Sequence, residues 1–145
     1  LLAVVYPSRH LEEPFDGILY AAVVSVGFAT MENFYYLDQF GVAVVTARTV
    51  ITIPAHAFMS VPMGYLVAKS RMQLDKGKVM KNRYFYPMIT VILGWLISAF
   101  LHGFYDFLLS MRMEREAYLQ IILMGCMSFF LGRSALKASK IKLKN

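Results

Sequence analysis

Four long runs of apolar residues, separated by polar links, dominate the chain. They lie at about 17–37, 44–68, 84–110 and 116–136. Each meets the ~20 residues that a helix needs to cross ~30 Å of hydrocarbon. Residues 1–6, LLAVVY, read as the end of an earlier span. The pattern predicts an all-α fold, a polytopic transmembrane helix bundle with four full spans in a single domain over 1–145. Asp16, after Glu12-Glu13-Pro14-Phe15, is placed as the N-cap of the first span. The links 38–43 and 111–115 are short enough to make their neighbours antiparallel pairs. Pro54 and Pro62 stand on either side of His56. Pro54 deprives the Val50 carbonyl of its helical donor and predicts a kink.

A few polar residues interrupt this pattern. Glu32 is the only formal charge in 17–37, His56 lies in the second run, and His102 lies in the third with Asp106 one turn on. An ionisable group at a span's centre costs roughly 2.5–3.5 kcal/mol on insertion scales, so the folded bundle must offset it. At 1.5 Å per residue Glu32 is ~22 Å along its span, His56 ~18 Å from the outer end of its own, and His102 ~27 Å along the third. All three therefore fall in the middle-to-outer bilayer. Residues four apart share a helix face. Gly17, Ala21, Ser25 and Ala29 form a small-residue row suited to close helix contact. Arg48, Thr52, His56, Ser60 and Gly64 form a second row, and Gly94, Ser98, His102, Asp106 and Ser110 a third. All three are expected to face one interior.

Composition supports the membrane reading. The chain is 58% hydrophobic, against about 45–50% for a globular domain. The net charge of +6 is not a nucleic-acid signal, because it is unevenly placed. Lys69, Arg71, Lys76, Lys78, Lys81 and Arg83 crowd the link 69–83, and Arg133, Lys137, Lys140, Lys142 and Lys144 lie in or beside the tail 137–145. The opposite side has Arg112 and Arg115 balanced by Glu114 and Glu116. The positive-inside rule makes the basic side cytoplasmic, with anionic lipid as its contact. The expected home is a bacterial or archaeal cytoplasmic membrane. The single cysteine, Cys126, excludes an internal disulfide and is expected to pack. The aromatics around 34–36 and 84–86 are expected to face lipid or form an interfacial belt.

Glu32, His56 and His102 are the ligand types of a zinc-like ion, two imidazoles and a carboxylate with a place left for water. Such an ion lowers the pKa of bound water to ~7 and polarises a carbonyl. Asp106 is either a further ligand or the acceptor that orients His102. Arg48 either snorkels to the interface or pairs with a carboxylate or oxyanion. Taken singly, each group also has a plainer use. Glu32 can bond Asn33 or a threonine, and each histidine can make one interhelical bond. His10 is expected in solvent. Glu12-Glu13, directly before Pro14 and outside the spans, is set aside as a catalytic pair.

The stretches 12–37, 54–68 and 102–109 resemble the PrsW family of intramembrane metalloproteases, distant relatives of the CAAX prenyl endopeptidases. The resemblance rests on F-x-x-x-E-N (Phe28, Glu32, Asn33), H-x-x-x-S-x-x-x-G (His56, Ser60, Gly64) and H-x-x-x-D (His102, Asp106). It implies a metal-dependent peptidase, with Glu32, His56 and His102 as metal ligands and catalytic residues and a divalent transition metal such as zinc as cofactor. Asp106, Asn33 and Arg48 would support them. The implied substrate is a membrane protein or peptide, since the family's namesake cuts an anti-sigma factor. The family also carries E-E-x-x-K on the helix before the first span, with the general base among its glutamates. The chain opens at Leu1, so the expectation is a fragment without that base and without activity of its own. Two other classes compete with this reading. One is a proton or cation transporter that uses the same polar residues. The other is a non-catalytic scaffold, in which alanine at Glu32 would raise stability.

Overall fold

The computed structural model describes residues 1, 3–7, 10–75 and 84–142. Three helices account for nearly all of them: α1 (Pro14–Asp75), α2 (Phe85–Ser110) and α3 (Glu114–Lys142). Each is long and apolar enough to cross a membrane. No strand occurs among the described residues. Large apolar side chains cover the outside; Met31, Phe100 and Phe130 are 68, 68 and 69% exposed. An apolar exterior of this extent matches lipid rather than water.

The helix count is three where four spans were expected. The expected polar link 38–43 is helical except at Gly41, whose φ of 79° and ψ of 177° break α1. That backbone conformation is open to glycine and strained for other residues. The chain reverses there, so α1 consists of two antiparallel limbs, 14–40 and 42–75. Ser25 meets the carbonyl of His56, Asn33 meets Thr49, and Gly17 meets Gly64, each pair nearly symmetric about Gly41. The link 69–83 is also shorter than expected, because helix continues to Asp75. Lys76, Lys78, Lys81, Arg83 and Lys144 lie outside the described residues. The tail from 137 is helical as far as Lys142.

Two local expectations fail for identifiable reasons. Helix α1 starts at Pro14, which puts Asp16 inside the first turn instead of at the N-cap. Proline suits that first position because its missing N–H needs no partner there. The Asp16 carboxylate reaches back and accepts the N–H groups of Glu12 (3.0 Å) and Glu13 (2.9 Å), as the third residue of a capping box does. Pro54 and Pro62 leave the backbone angles helical, and Gly41 is the only departure in α1. Val50, whose carbonyl Pro54 leaves without a donor, is itself on the exposed face of the helix.

The predicted small-residue row is the seam of the hairpin. Ala21 and Ala29 are 0 and 1% exposed. A methyl group added at Gly17 would collide with the main-chain carbonyl of Gly64, and one at Gly64 with that of Gly17. The limb 42–75 is the central helix. One side packs on the first limb, and Gly94 of α2 sits against Met63 and Leu66 on another. Helix α3 closes a further side through Ala117, buried with Ala55, Met59, Tyr105 and Leu108. Ser128 of α3 also donates to the carbonyl of Phe58 (3.2 Å), and Gln120 to that of Leu101 (2.7 Å). Cys126, expected to pack, is exposed on α3.

Candidate metal and catalytic centre

Three helical segments bring the predicted residues together. Glu32 comes from the first limb of α1, Arg48 and His56 from the second, and His102 and Asp106 from α2. The His56 and His102 Nε2 atoms are 2.9 Å apart. Glu32 Oε2 is 3.5 Å from His56 Nε2. His56 is 4% exposed, Glu32 is about a quarter exposed, and Asp106 is largely exposed.

The outward nitrogen of each ring is tied. His56 Nδ1 donates to the Thr52 carbonyl at 2.8 Å, one helical turn back. His102 Nδ1 lies 3.0 Å from Asp106 Oδ2, one turn on. These partners assign the protons to Nδ1 and leave the two Nε2 lone pairs facing each other. Such a pair is stable only if one ring takes a second proton, on Nε2, and donates it to the other, or if a cation lies where both lone pairs point. Two atoms each ~2.0–2.1 Å from a tetrahedral zinc stand ~3.3 Å apart. The observed 2.9 and 3.5 Å lie on either side of that value. The donor chemistry therefore fits a divalent transition metal. Even so, no three His, Cys, Asp or Glu side chains among the described residues form a ready metal-holding group. Glu32 is shared, because the Oε2 that lies 3.5 Å from His56 Nε2 also takes Arg48 Nη2 at 2.8 Å.

Arg48 does not snorkel. Its Nε donates to Asn33 Oδ1 at 3.2 Å, and its guanidinium lies 3.6 Å from the centre of the Tyr36 ring. Asn33 is 6% exposed and donates in turn to Thr49 Oγ1 at 3.3 Å. The two limbs are thus locked next to the carboxylate by a forked, stacked arginine. Tyr36, expected among the lipid-facing aromatics, meets Arg48 of the other limb, a partner that local pattern does not reveal. Ser25, expected only as a small packing residue, has a second role. It donates to the His56 carbonyl at 2.8 Å and fixes the height of that histidine against the first limb.

Long apolar helices around a partly buried carboxylate–imidazole cluster define an integral membrane protein with a polar centre. The chain belongs to the PrsW family, described as intramembrane metalloproteases, whose profile matches residues 1–132. Protease PrsW of Bacillus subtilis is 34% identical over 143 residues, which is 99% of this chain and 61% of that protein. Protease PrsW of Geobacillus kaustophilus is 41% identical over 114 residues, 79% of this chain and 46% of that protein. Protease PrsW of Clostridioides difficile is 31% identical over 126 residues, 84% and 50% of the two. The chain therefore spans about half to three fifths of the length of these relatives. No solved structure matches it.

Proposed function

We propose that this chain carries the metal-binding part of an intramembrane peptidase acting on membrane-associated polypeptides. His56 and His102 would hold the metal through Nε2, with Glu32 as the carboxylate ligand. The observation that carries this reading is the pair of Nε2 atoms 2.9 Å apart, each ring tied at its other nitrogen. Zinc is the proposed metal, since two imidazoles and a carboxylate with a position open to water are a catalytic zinc set. When bound, such an ion polarises the scissile carbonyl and makes water acidic enough to supply hydroxide near neutrality.

The remaining work belongs to the chain's own side chains. Thr52 and Asp106 fix the tautomers and orientations of the two rings, a role that keeps ligands basic and aimed. Arg48 holds Glu32 in place, which argues for the carboxylate as an anchored ligand instead of a mobile base. Asn33 and Tyr36 keep Arg48 from swinging out. The proposed topology has four crossings, the two limbs of α1 plus α2 and α3. The basic segments around 69–83 and 137–145 would face the cytoplasm. Glu32, His56 and His102 would then lie in the outer half of the bilayer. A membrane-anchored regulator of the anti-sigma-factor kind is the proposed substrate type, on the strength of the family resemblance.

The deciding measurement is metal content of the purified full-length protein by atomic spectroscopy, beside cleavage of a membrane-anchored reporter. About one divalent transition metal per chain is expected, lost together with cleavage in His56→Ala and His102→Ala. A proton or cation pathway through the same residues would need no such metal and would give pH-dependent flux in vesicles. Cleavage that persists in both histidine variants would rule the proposal out.

A further inference from the structure

A cleft of about 420 Å³ opens beside the two histidines and runs along the bundle away from Asp106. One wall is the first limb of α1, with Val24 and Phe28, and the other is α2, with Trp95 and Ala99. The second limb forms the floor through Met59 and Met63, and His56 and His102 line the same cleft. The lining is apolar apart from these rings and three serines. Two of those serines are occupied, since Ser25 donates to the His56 carbonyl and Ser60 to that of Ala57.

The third, Ser98, differs. Its Oγ is buried and has no hydrogen-bond partner among the described residues. Elsewhere Ser70, Ser110, Ser128 and Ser139 all donate to main-chain carbonyls. A helical serine ordinarily satisfies itself on the carbonyl one turn back. A buried hydroxyl left without a partner is a standing cost that an incoming partner can relieve. Ser98 is one turn before His102 on α2, so the two lie ~6 Å apart along the helix. An extended peptide advances ~3.3 Å per residue. A segment laid along the cleft would therefore put one main-chain group at Ser98 when a peptide bond about two residues away is at His102.

We propose that the cleft between the first limb of α1 and α2 receives an extended, apolar segment of a membrane-embedded polypeptide substrate, and that Ser98 positions it through one main-chain hydrogen bond. An extended segment suits the cleft because its main-chain groups have no helical partner of their own to share with the hydroxyl, and apolar side chains match the walls. The proposal rests on the peptidase reading for the purpose of the docked segment, though the docking itself does not depend on a metal.

The test uses the full-length protein in phosphatidylcholine vesicles, with its other cysteines, Cys126 included, replaced by serine. Ser98→Cys is set against Phe100→Cys, which lies on the exposed face of α2 at 68% exposure. The probe is a Leu/Ala transmembrane peptide with one central cysteine, joined by mild oxidation. Cross-linking at Ser98→Cys is expected to exceed that at Phe100→Cys about tenfold, and equal yields overturn the proposal. Adding His56→Ala separates the two readings. Cross-linking that survives while reporter cleavage is lost supports both, whereas cleavage that survives removes the peptidase reading and leaves the docking site intact. Ser98→Ala gives a second arm. Loss of an unpaired hydroxyl is expected to leave thermal stability equal or higher, while kcat/KM for the reporter falls about 3- to 10-fold, mainly through KM. Ser98→Thr, which keeps the donor, is expected to restore it. Unchanged kcat/KM in Ser98→Ala would show the hydroxyl to be uninvolved.

Discussion

Replacing Gly64 by alanine tests the hairpin seam and, through it, the site. The new methyl would lie 2.7 Å from the Ala21 Cβ and 2.8 Å from the Gly17 carbonyl carbon, and would collide with the Gly17 oxygen. Main chain cannot swing aside as a long side chain can, so the limbs must separate by about 1 Å to reach ordinary contact. Overpacking of this kind costs about 1–3 kcal/mol, and a backbone obstacle puts it at the upper end. Alanine returns about 1 kcal/mol of helix propensity, so the net loss is about 2 kcal/mol. Gly27 is the internal control. It is in the same helix, and a methyl there meets nothing within 4 Å. Gly27→Ala should therefore keep the propensity gain and be neutral or stabilised by up to about 1 kcal/mol. The same seam sets the spacing of Glu32, Arg48 and His56, so Gly64→Ala should also weaken metal binding, and Gly27→Ala should not. Both can be read from reversible unfolding in mixed detergent micelles and from metal retention on dialysis. Equal stability of the two variants would refute the packing argument.

Other substitutions probe the site directly. Asp106→Asn removes the carboxylate that orients His102 and is expected to weaken metal affinity about 10- to 100-fold by chelator competition; the exposure of Asp106 favours the lower end. Arg48→Lys keeps the charge but loses the fork that spans Glu32 and Asn33 and the stacking on Tyr36, so it should behave closer to Arg48→Ala than to the native protein in both stability and metal retention. Gly41→Val places a β-branched residue at φ 79° and should cost more than about 1 kcal/mol and disturb the limb pairing, seen as loss of a disulfide between cysteines introduced at Asn33 and Thr49. Accessibility labelling of cysteines introduced at Lys69 and Arg115 in intact cells should place them on opposite sides of the membrane, with Lys69 inside.

Much of the centre was legible in the chain because an ionisable residue in an apolar run has few uses. Glu32, His56 and His102 stood out by cost alone, and the four-residue spacing of the small and polar rows gave their faces. The Gly17–Ala29 row is the contact face for the second limb, and Thr52, His56 and Ser60 are buried as that spacing requires. The third polar row turns outward at Asp106 and Ser110. Helix ends were less legible. Asp38 and Gln39 looked like a polar link, yet a membrane-surface helix tolerates them, and the chain reverses at one glycine. The role of Asp16 shifted by one turn because Pro14 can open a helix as well as precede one.

Sequence by itself thus determined which segments are helical and apolar, which faces of the two limbs are buried, and which ionisable residues need partners. These follow from periodicity and transfer cost, which are local. Only the tertiary structure decided partners. It gave Glu32 to Arg48 as well as to His56, put Tyr36 beneath the guanidinium, and left the Ser98 hydroxyl buried one turn from His102 with no bond among the described residues. Those outcomes depend on differences of an ångström between side chains from three helical segments, and helical periodicity fixes direction without fixing distance.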